Sequence, residues 1–224
     1  MAHNVLLAHG LGVRAIREHA KGEVKVGWAP TGGMNYPLTN STEDIEATRK
    51  SIFEIPKDFK KSWNWNVSWW NDPIFLGKYP EEGVRLLGNL MPEVKPGDLE
   101  IISEQIDFLG YNIYNGGCIR ADKSGRPKYV KRKDGYSRTA IDWPITPEVL
   151  YWGPKFLYEH YGKPIHITEN GLSCHDVISL DGKVHDPNRI DFLNRYLIEL
   201  RKAVNDGVRI DAYCLLYTSD AADE

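Results

Sequence analysis

The chain has 224 residues, room for one ordinary domain or for an incomplete large one. Its 28 Lys and Arg against 31 Asp and Glu give a net charge of −3 with no long run of one sign, which excludes an electrostatic case for nucleic acid or an anionic membrane as partner. Apolar runs stop well short of the ~20 residues a membrane-spanning helix needs, and three scattered Cys (Cys118, Cys174, Cys214) are too few for a disulfide framework or a zinc site.

In chain order, residues 4–20 read as a helix with Arg14, Arg17 and His19 near its end. Met1-Ala2-His3-Asn4 lacks the basic start of a secretory leader, and Val5-Leu6-Leu7-Ala8 is broken at once by His9-Gly10. With the sparse Cys, this places the chain in the cytoplasm as an expectation. Residues 24–29 read as a strand ended by Pro30-Thr31-Gly32-Gly33. Ser41-Thr42-Glu43-Asp44 starts a helix, its acids suiting the N-terminal dipole. Residues 60–98, rich in Trp, Pro and Gly, form a long excursion with short helical turns.

Residues 107–114 are a strand, and residues 118–138 carry the alternation and turn signals of a β-hairpin. Thr146 caps a helix with Pro147 in its first turn, Gly153-Pro154 kinks it and Gly162 ends it. Residues 164–168 are a short strand running into Glu169-Asn170-Gly171. Asp186 caps the last helix and Pro187 opens it; Ile190, Leu193, Leu197, Leu200 and Val204 form its apolar stripe. Asn205-Asp206-Gly207 closes it before a strand at 208–213.

Strands alternating with helices call for a parallel sheet, either a (β/α)8 barrel or a doubly wound sheet. No Gly-x-Gly-x-x-Gly or phosphate loop follows a strand, which counts against nucleotide binding. Parallel barrels keep their chemistry at the C-terminal ends of strands, and Glu169 stands at one. A capping or salt-bridged Glu is an equal reading on spacing alone. Asn112 and Tyr114, two apart at the end of the preceding strand, point to one face, where an amide and a phenol converge on the same mouth. The seven Trp and twelve Tyr first mean packing, and second, stacking on the C–H faces of sugar rings. Trp63, Trp65, Trp69 and Trp70 are read as packing of the excursion and His166 as wall. His175-Asp176 and His185-Asp186 are read as loop bonding and capping; no metal or cofactor is expected.

Ile167-Thr168-Glu169-Asn170-Gly171 resembles the nucleophile motif of family 1 glycoside hydrolases, the β-glucosidase family. Asp107-Phe108-Leu109-Gly110-Tyr111-Asn112-Ile113-Tyr114 resembles that family's sixth barrel strand. Asp72-Pro73-Ile74-Phe75-Leu76-Gly77-Lys78-Tyr79-Pro80 resembles its Asp-Pro…Gly…Tyr-Pro segment, and residues 179–190 the entry to its seventh helix. The resemblance covers roughly residues 2–213. It implies an incomplete (β/α)8 TIM barrel covering about strands five to eight, and a retaining mechanism on a small β-glycoside or oligosaccharide. In it Glu169 is the nucleophile, Tyr114 orients it, Asn112 contacts the sugar and Trp143 lies on the aglycone side. β-Galactosidase or 6-phospho-β-glycosidase specificity, or a non-catalytic sugar-binding module, are the alternatives.

The family's acid/base Glu sits in an Asn-Glu-Pro run, and none occurs here. The chain starts with what resembles the helix after strand four. Residues 214–224 have no counterpart in the family and resemble translated transposon-type adapter DNA, so the expected barrel part is 1–213. Strands at 24–29 and 208–213 are then expected to be open sheet edges.

Overall fold

The computed structural model describes residues 2–57 and 63–216. Helix α1 (Ala2–His19) turns His3, Leu6, Gly10 and Val13 inward. Gly10 lets the backbones meet: a Cβ there would lie 1.9 Å from the Ile101 carbonyl oxygen of α5 (Asp98–Ile102). Strand β1 is only Gly27–Trp28, shorter than the expected 24–29. The cause is Asp107, whose carboxylate accepts the Val26 N–H at 2.7 Å, while Arg17 takes the Val24 carbonyl. Side chains thereby occupy the groups a longer ladder would use.

Strand β2 (Met34–Pro37) has no forerunner in the sequence reading. Helix α2 (Thr42–Phe53) is capped by Ser41, whose hydroxyl accepts the Asp44 N–H at 3.2 Å. The excursion contains a single 3-10 turn at Trp63–Trp65, then α3 (Val67–Phe75), α4 (Glu81–Leu87) and α5. Trp69 packs on Trp63 and Tyr79, both at 5.0 Å between ring centroids, as packing predicts; Trp65 is exposed.

Strand β3 (Phe108–Asn112) stops short of Tyr114. The hairpin forms from β4 (Gly116–Ala121) and β5 (Pro127–Val130), its turn closed by Asp122, which accepts the Ser124 and Arg126 N–H groups, and by Gly125 at φ +74°. Helix α6 (Val149–Tyr161) runs through Gly153-Pro154 and ends on Gly162 at φ +64°. Thr146 does not cap it by side chain. Its hydroxyl accepts the Gly116 N–H at 3.0 Å instead, and Pro147 lies before the helix.

Strand β6 (Ile165–Asn170) includes Glu169. Helix α7 (Pro187–Asn205) starts at Asp186, which gives no side-chain cap because its carboxylate binds Arg189 at 2.9 Å. The helix is also rotated from the expected stripe. Phe192, Tyr196, Leu200 and Ala203 are buried, Leu193 packs beside them, and Ile190, Leu197 and Val204 are 57%, 41% and 48% exposed. Apolar residues cover a wide arc of α7, so periodicity alone cannot choose the inner part; the stacked Phe192–Tyr196 pair and small Ala203 decide it. Strand β7 (Ile210–Leu215) continues past residue 213, and residues 217–224 of the expected foreign tail lie outside the described residues.

The main sheet is β1-β3-β6-β7, parallel throughout. The order follows the chain, without the reversal that defines a doubly wound sheet. β1 and β7 are its edges. A second sheet, β2-β4-β5, packs beside α2 and α6. Apolar residues gather in two clusters, one around β3, β6, α6 and α7, the other under α1, α3 and α5. No helix of the described residues is long and apolar enough to cross a membrane.

One carboxyl in this frame titrates out of place. Asp72 of α3 is largely buried, and burial raises its pKa to about 6 against the hydrogen bond from Tyr161 (2.8 Å) and the charge of Lys78. His160 stands 3.9 Å from the same oxygen. A carboxyl raised in the fold costs stability as pH climbs from about 4 to 6, where it ionises. Asp72→Asn keeps the acceptor for Tyr161 and removes that cost. It is expected to raise Tm by roughly 2–4 °C at pH 7.5, the effect of about 1 kcal/mol at this size. The gain should vanish near pH 4 in a paired melting series.

Candidate active site

Glu169 and Asn112 are partners in register across β3 and β6. The pairing is parallel, so both residues reach the same end of the sheet. Register shifts lie between Tyr111 and Asn112 and between Ile167 and Asn170. These irregularities flank Glu169 and turn its neighbourhood away from a regular ladder. The backbone stays tied there: the Ile113 N–H donates to the Glu169 carbonyl at 3.0 Å.

The half-buried Tyr114 hydroxyl donates to Glu169 Oε2 at 2.7 Å. Burial first, then the carboxylate itself, raises the Tyr114 pKa well above that of a free phenol, so the group remains a donor. Thr168 donates to Asn112 Oδ1 at 2.7 Å, leaving the amide N–H groups of Asn112 for other partners. The edge of Trp143 meets Tyr114 with centroids 5.4 Å apart and planes at 69°. Trp143 is brought there by a tight loop with Asp142 at φ +64°, whose Ala140 N–H donates to the Ser173 carbonyl at 2.9 Å. Ser173 stands four residues beyond Glu169. The four expected site residues are therefore joined by contacts in one place.

Asn170 and Tyr213 escaped the sequence reading. Asn170 is wholly buried; its amide donates to the Ile113 carbonyl at 2.8 Å and its Oδ1 accepts the Tyr213 hydroxyl at 2.8 Å. The pair locks β3, β6 and β7 together just beyond Glu169. Asn170 was visible only as part of a motif, and no local pattern announces a bond to a residue 43 positions away. Gly171 is required at this crossing, since a Cβ would lie 2.4 Å from the Leu216 carbonyl oxygen.

Other candidates resolve as packing and pairing. His166 stacks on Phe108 at 3.9 Å, and burial lowers its pKa. Asp176 and Asp186 share Arg189, and His185 binds Asp181 at 2.8 Å. The largest cavity, about 1520 Å³ and lined by Tyr36, Arg132, Tyr151 and Phe192 among others, lies apart from Glu169, Tyr114, Asn112 and Trp143. We assign the site by converging reactive groups rather than by volume, because the groove holds no comparable carboxylate–phenol pair.

With this geometry in hand, the chain was compared with known proteins. The model of glycosyl hydrolase family 1 matches residues 1–223. The chain belongs to that family. It is 36% identical to β-glucosidase A of Thermotoga maritima over 212 residues, covering 94% of this chain and 45% of that one. It is 35% identical to the 1,4-β-D-glucan glucohydrolase of Thermotoga neapolitana, covering 94% and 47%. A solved structure of the family 1 β-glucosidase from Thermotoga maritima in complex with isofagomine lactam superposes with a TM-score of 0.73 at 35% identity, covering 95% and 46%. The chain thus spans a little under half the length of the relatives it matches.

The Asn170 lock yields a direct expectation. Asn170→Ala strands the Ile113 carbonyl and the Tyr213 hydroxyl. It should cost about 2–4 kcal/mol, at 1–3 kcal/mol for each unpaired buried group. A urea midpoint lowered by roughly 1 M checks this; an unchanged midpoint contradicts it.

Proposed function

We propose that this chain is the C-terminal part of a retaining β-glycosidase, β-glucosidase-like, acting on a small β-glycoside or oligosaccharide. The sheet β1-β3-β6-β7 then corresponds to about strands five to eight of a (β/α)8 barrel, carried by residues 1–213, with 214–224 foreign to it. The observation that carries this reading is the Tyr114 hydroxyl on Glu169 at 2.7 Å, at the ends of neighbouring parallel strands. The relatives' names support the substrate class. Phospho-β-glucosidases are also related, including the phospho-cellobiase of Klebsiella oxytoca at 28%, but the plain β-glucosidases match at higher identity.

In the proposed reaction Glu169 attacks the anomeric carbon. A C–O bond forms to its carboxylate as the bond to the leaving group breaks, giving a covalent glycosyl–enzyme. Tyr114 holds the attacking oxygen in line, Asn112 offers its amide to a sugar hydroxyl, and Trp143 faces the departing group. An ordinary leaving group departs with a proton from a second carboxyl, and a water is later activated by it; that partner contributes ~10²–10⁴ in rate. The family's Asn-Glu-Pro run that supplies it does not occur in this chain.

This separates two experiments. A 2,4-dinitrophenyl 2-deoxy-2-fluoro-β-glucoside needs no acid for the first step, because dinitrophenolate leaves unprotonated. Peptide mapping should find one covalent sugar, on Glu169, absent from Glu169→Gln; a label elsewhere, or none, contradicts the assignment. Unactivated aryl β-glucosides should be turned over no faster by the chain than by Glu169→Gln. Turnover that this substitution abolishes would overturn the missing-partner reading.

A further inference from the structure

Tyr114 lies where neither sheet holds it. β3 ends at Asn112 and β4 begins at Gly116, so Tyr114 belongs to a short crossing between two sheets. The last tie to β6 is the Ile113 N–H on the Glu169 carbonyl. Beyond it the anchor comes from α7. The Tyr196 hydroxyl donates to the Tyr114 carbonyl at 2.8 Å and accepts the Thr146 N–H at 2.9 Å. The Thr146 hydroxyl in turn accepts the Gly116 N–H at 3.0 Å. These three bonds clamp both ends of the crossing.

The clamp is built for rigidity. Tyr196 is wholly buried, Thr146 is 1% exposed, and the Tyr196 ring stacks on Phe192 at 3.9 Å between centroids. Burial raises the Tyr196 pKa above that of a free phenol, so its proton stays available to the Tyr114 carbonyl. A phenol with one bond given and one received has no remaining reason to move.

We propose that Tyr196 is a positioning residue for the nucleophile: its hydroxyl fixes the Tyr114 backbone and thereby keeps the Tyr114 hydroxyl on Glu169. The catalytic meaning of this role rests on the function proposed above. Small displacements of such groups matter because in-line geometry carries much of the rate. Removing the Tyr196 hydroxyl strands the Tyr114 carbonyl and the Thr146 N–H, and the crossing must shift to find new partners.

The test uses the full chain, isotope-labelled at tyrosine Cζ and observed by NMR. Tyr114→Phe identifies the Tyr114 resonance, and Glu169→Gln marks its position without the carboxylate. In Tyr196→Phe the resonance is expected to move at least halfway toward that position. Thr146→Val, which removes the acceptor of the Gly116 N–H, moves it the same way by less. Leu200→Ala, a packing loss on the same helix, leaves it in place. A Tyr114 resonance unmoved by Tyr196→Phe, or moved equally by Leu200→Ala, overturns the proposal. Should Tyr196→Phe fail to fold, an unmoved resonance in Thr146→Val does so. The readout is the Tyr114–Glu169 contact and not turnover, so this test and the labelling of Glu169 can fail independently.

Discussion

The candidate site depends on one parallel pairing, β3 against β6. Parallel strands end on the same side, so Asn112 and Glu169 emerge together without a long loop to carry either. The ladder supplies rigidity up to the Ile113–Glu169 bond, and the buried Asn170 amide extends it across β7. Tyr114 is then the first residue past that rigid block, close enough to touch Glu169 and far enough to need an anchor of its own. Its phenol, raised by burial, stays a donor, so Glu169 always faces a hydrogen-bonding partner.

The parts of this arrangement legible in sequence were those written locally. Alternation and turn residues announced the β4–β5 hairpin; Ser41 announced α2; Gly162 marked the end of α6. Glu169, Asn112 and Tyr114 were legible because strand ends and ordered motifs coincide there, and Trp143 because of its segment. What failed was written at long range. β1 is short because the Asp107 side chain, 81 residues from Val26, takes its N–H group. Thr146 is drawn from its helix by Gly116. The inward face of α7 is chosen by packing partners, since apolar residues cover more of its circumference than one stripe. Tyr196 and Asn170 act through bonds to backbone carbonyls far along the chain, and no spacing rule encodes such bonds.

The proposed partial barrel makes physical sense of features that are odd in a separate domain. Both edges of the main sheet carry groups that a closed barrel pairs with neighbouring strands. The exposed Ile190, Leu197 and Val204 lie along one side of α7, beside the β7 edge, as on a helix that packs against a further helix. The large groove beside α6 and α7 offers space without the carboxylate chemistry that glycoside cleavage needs. Convergence of a carboxylate, a phenol, an amide and an indole is the stronger indicator of function, because rate arises from placed charge and not from volume.

The central claim is that the Glu169 carboxylate, oriented by Tyr114, is the atom that receives the sugar. A crystal structure of the chain after reaction with an activated 2-fluoro-β-glucoside measures this most directly. The account predicts continuous density from the anomeric carbon to a Glu169 carboxylate oxygen, with the Tyr114 hydroxyl within hydrogen-bonding distance of that residue and Trp143 at the open end. Sugar seated in the groove by α6 and α7 with Glu169 unmodified would contradict it.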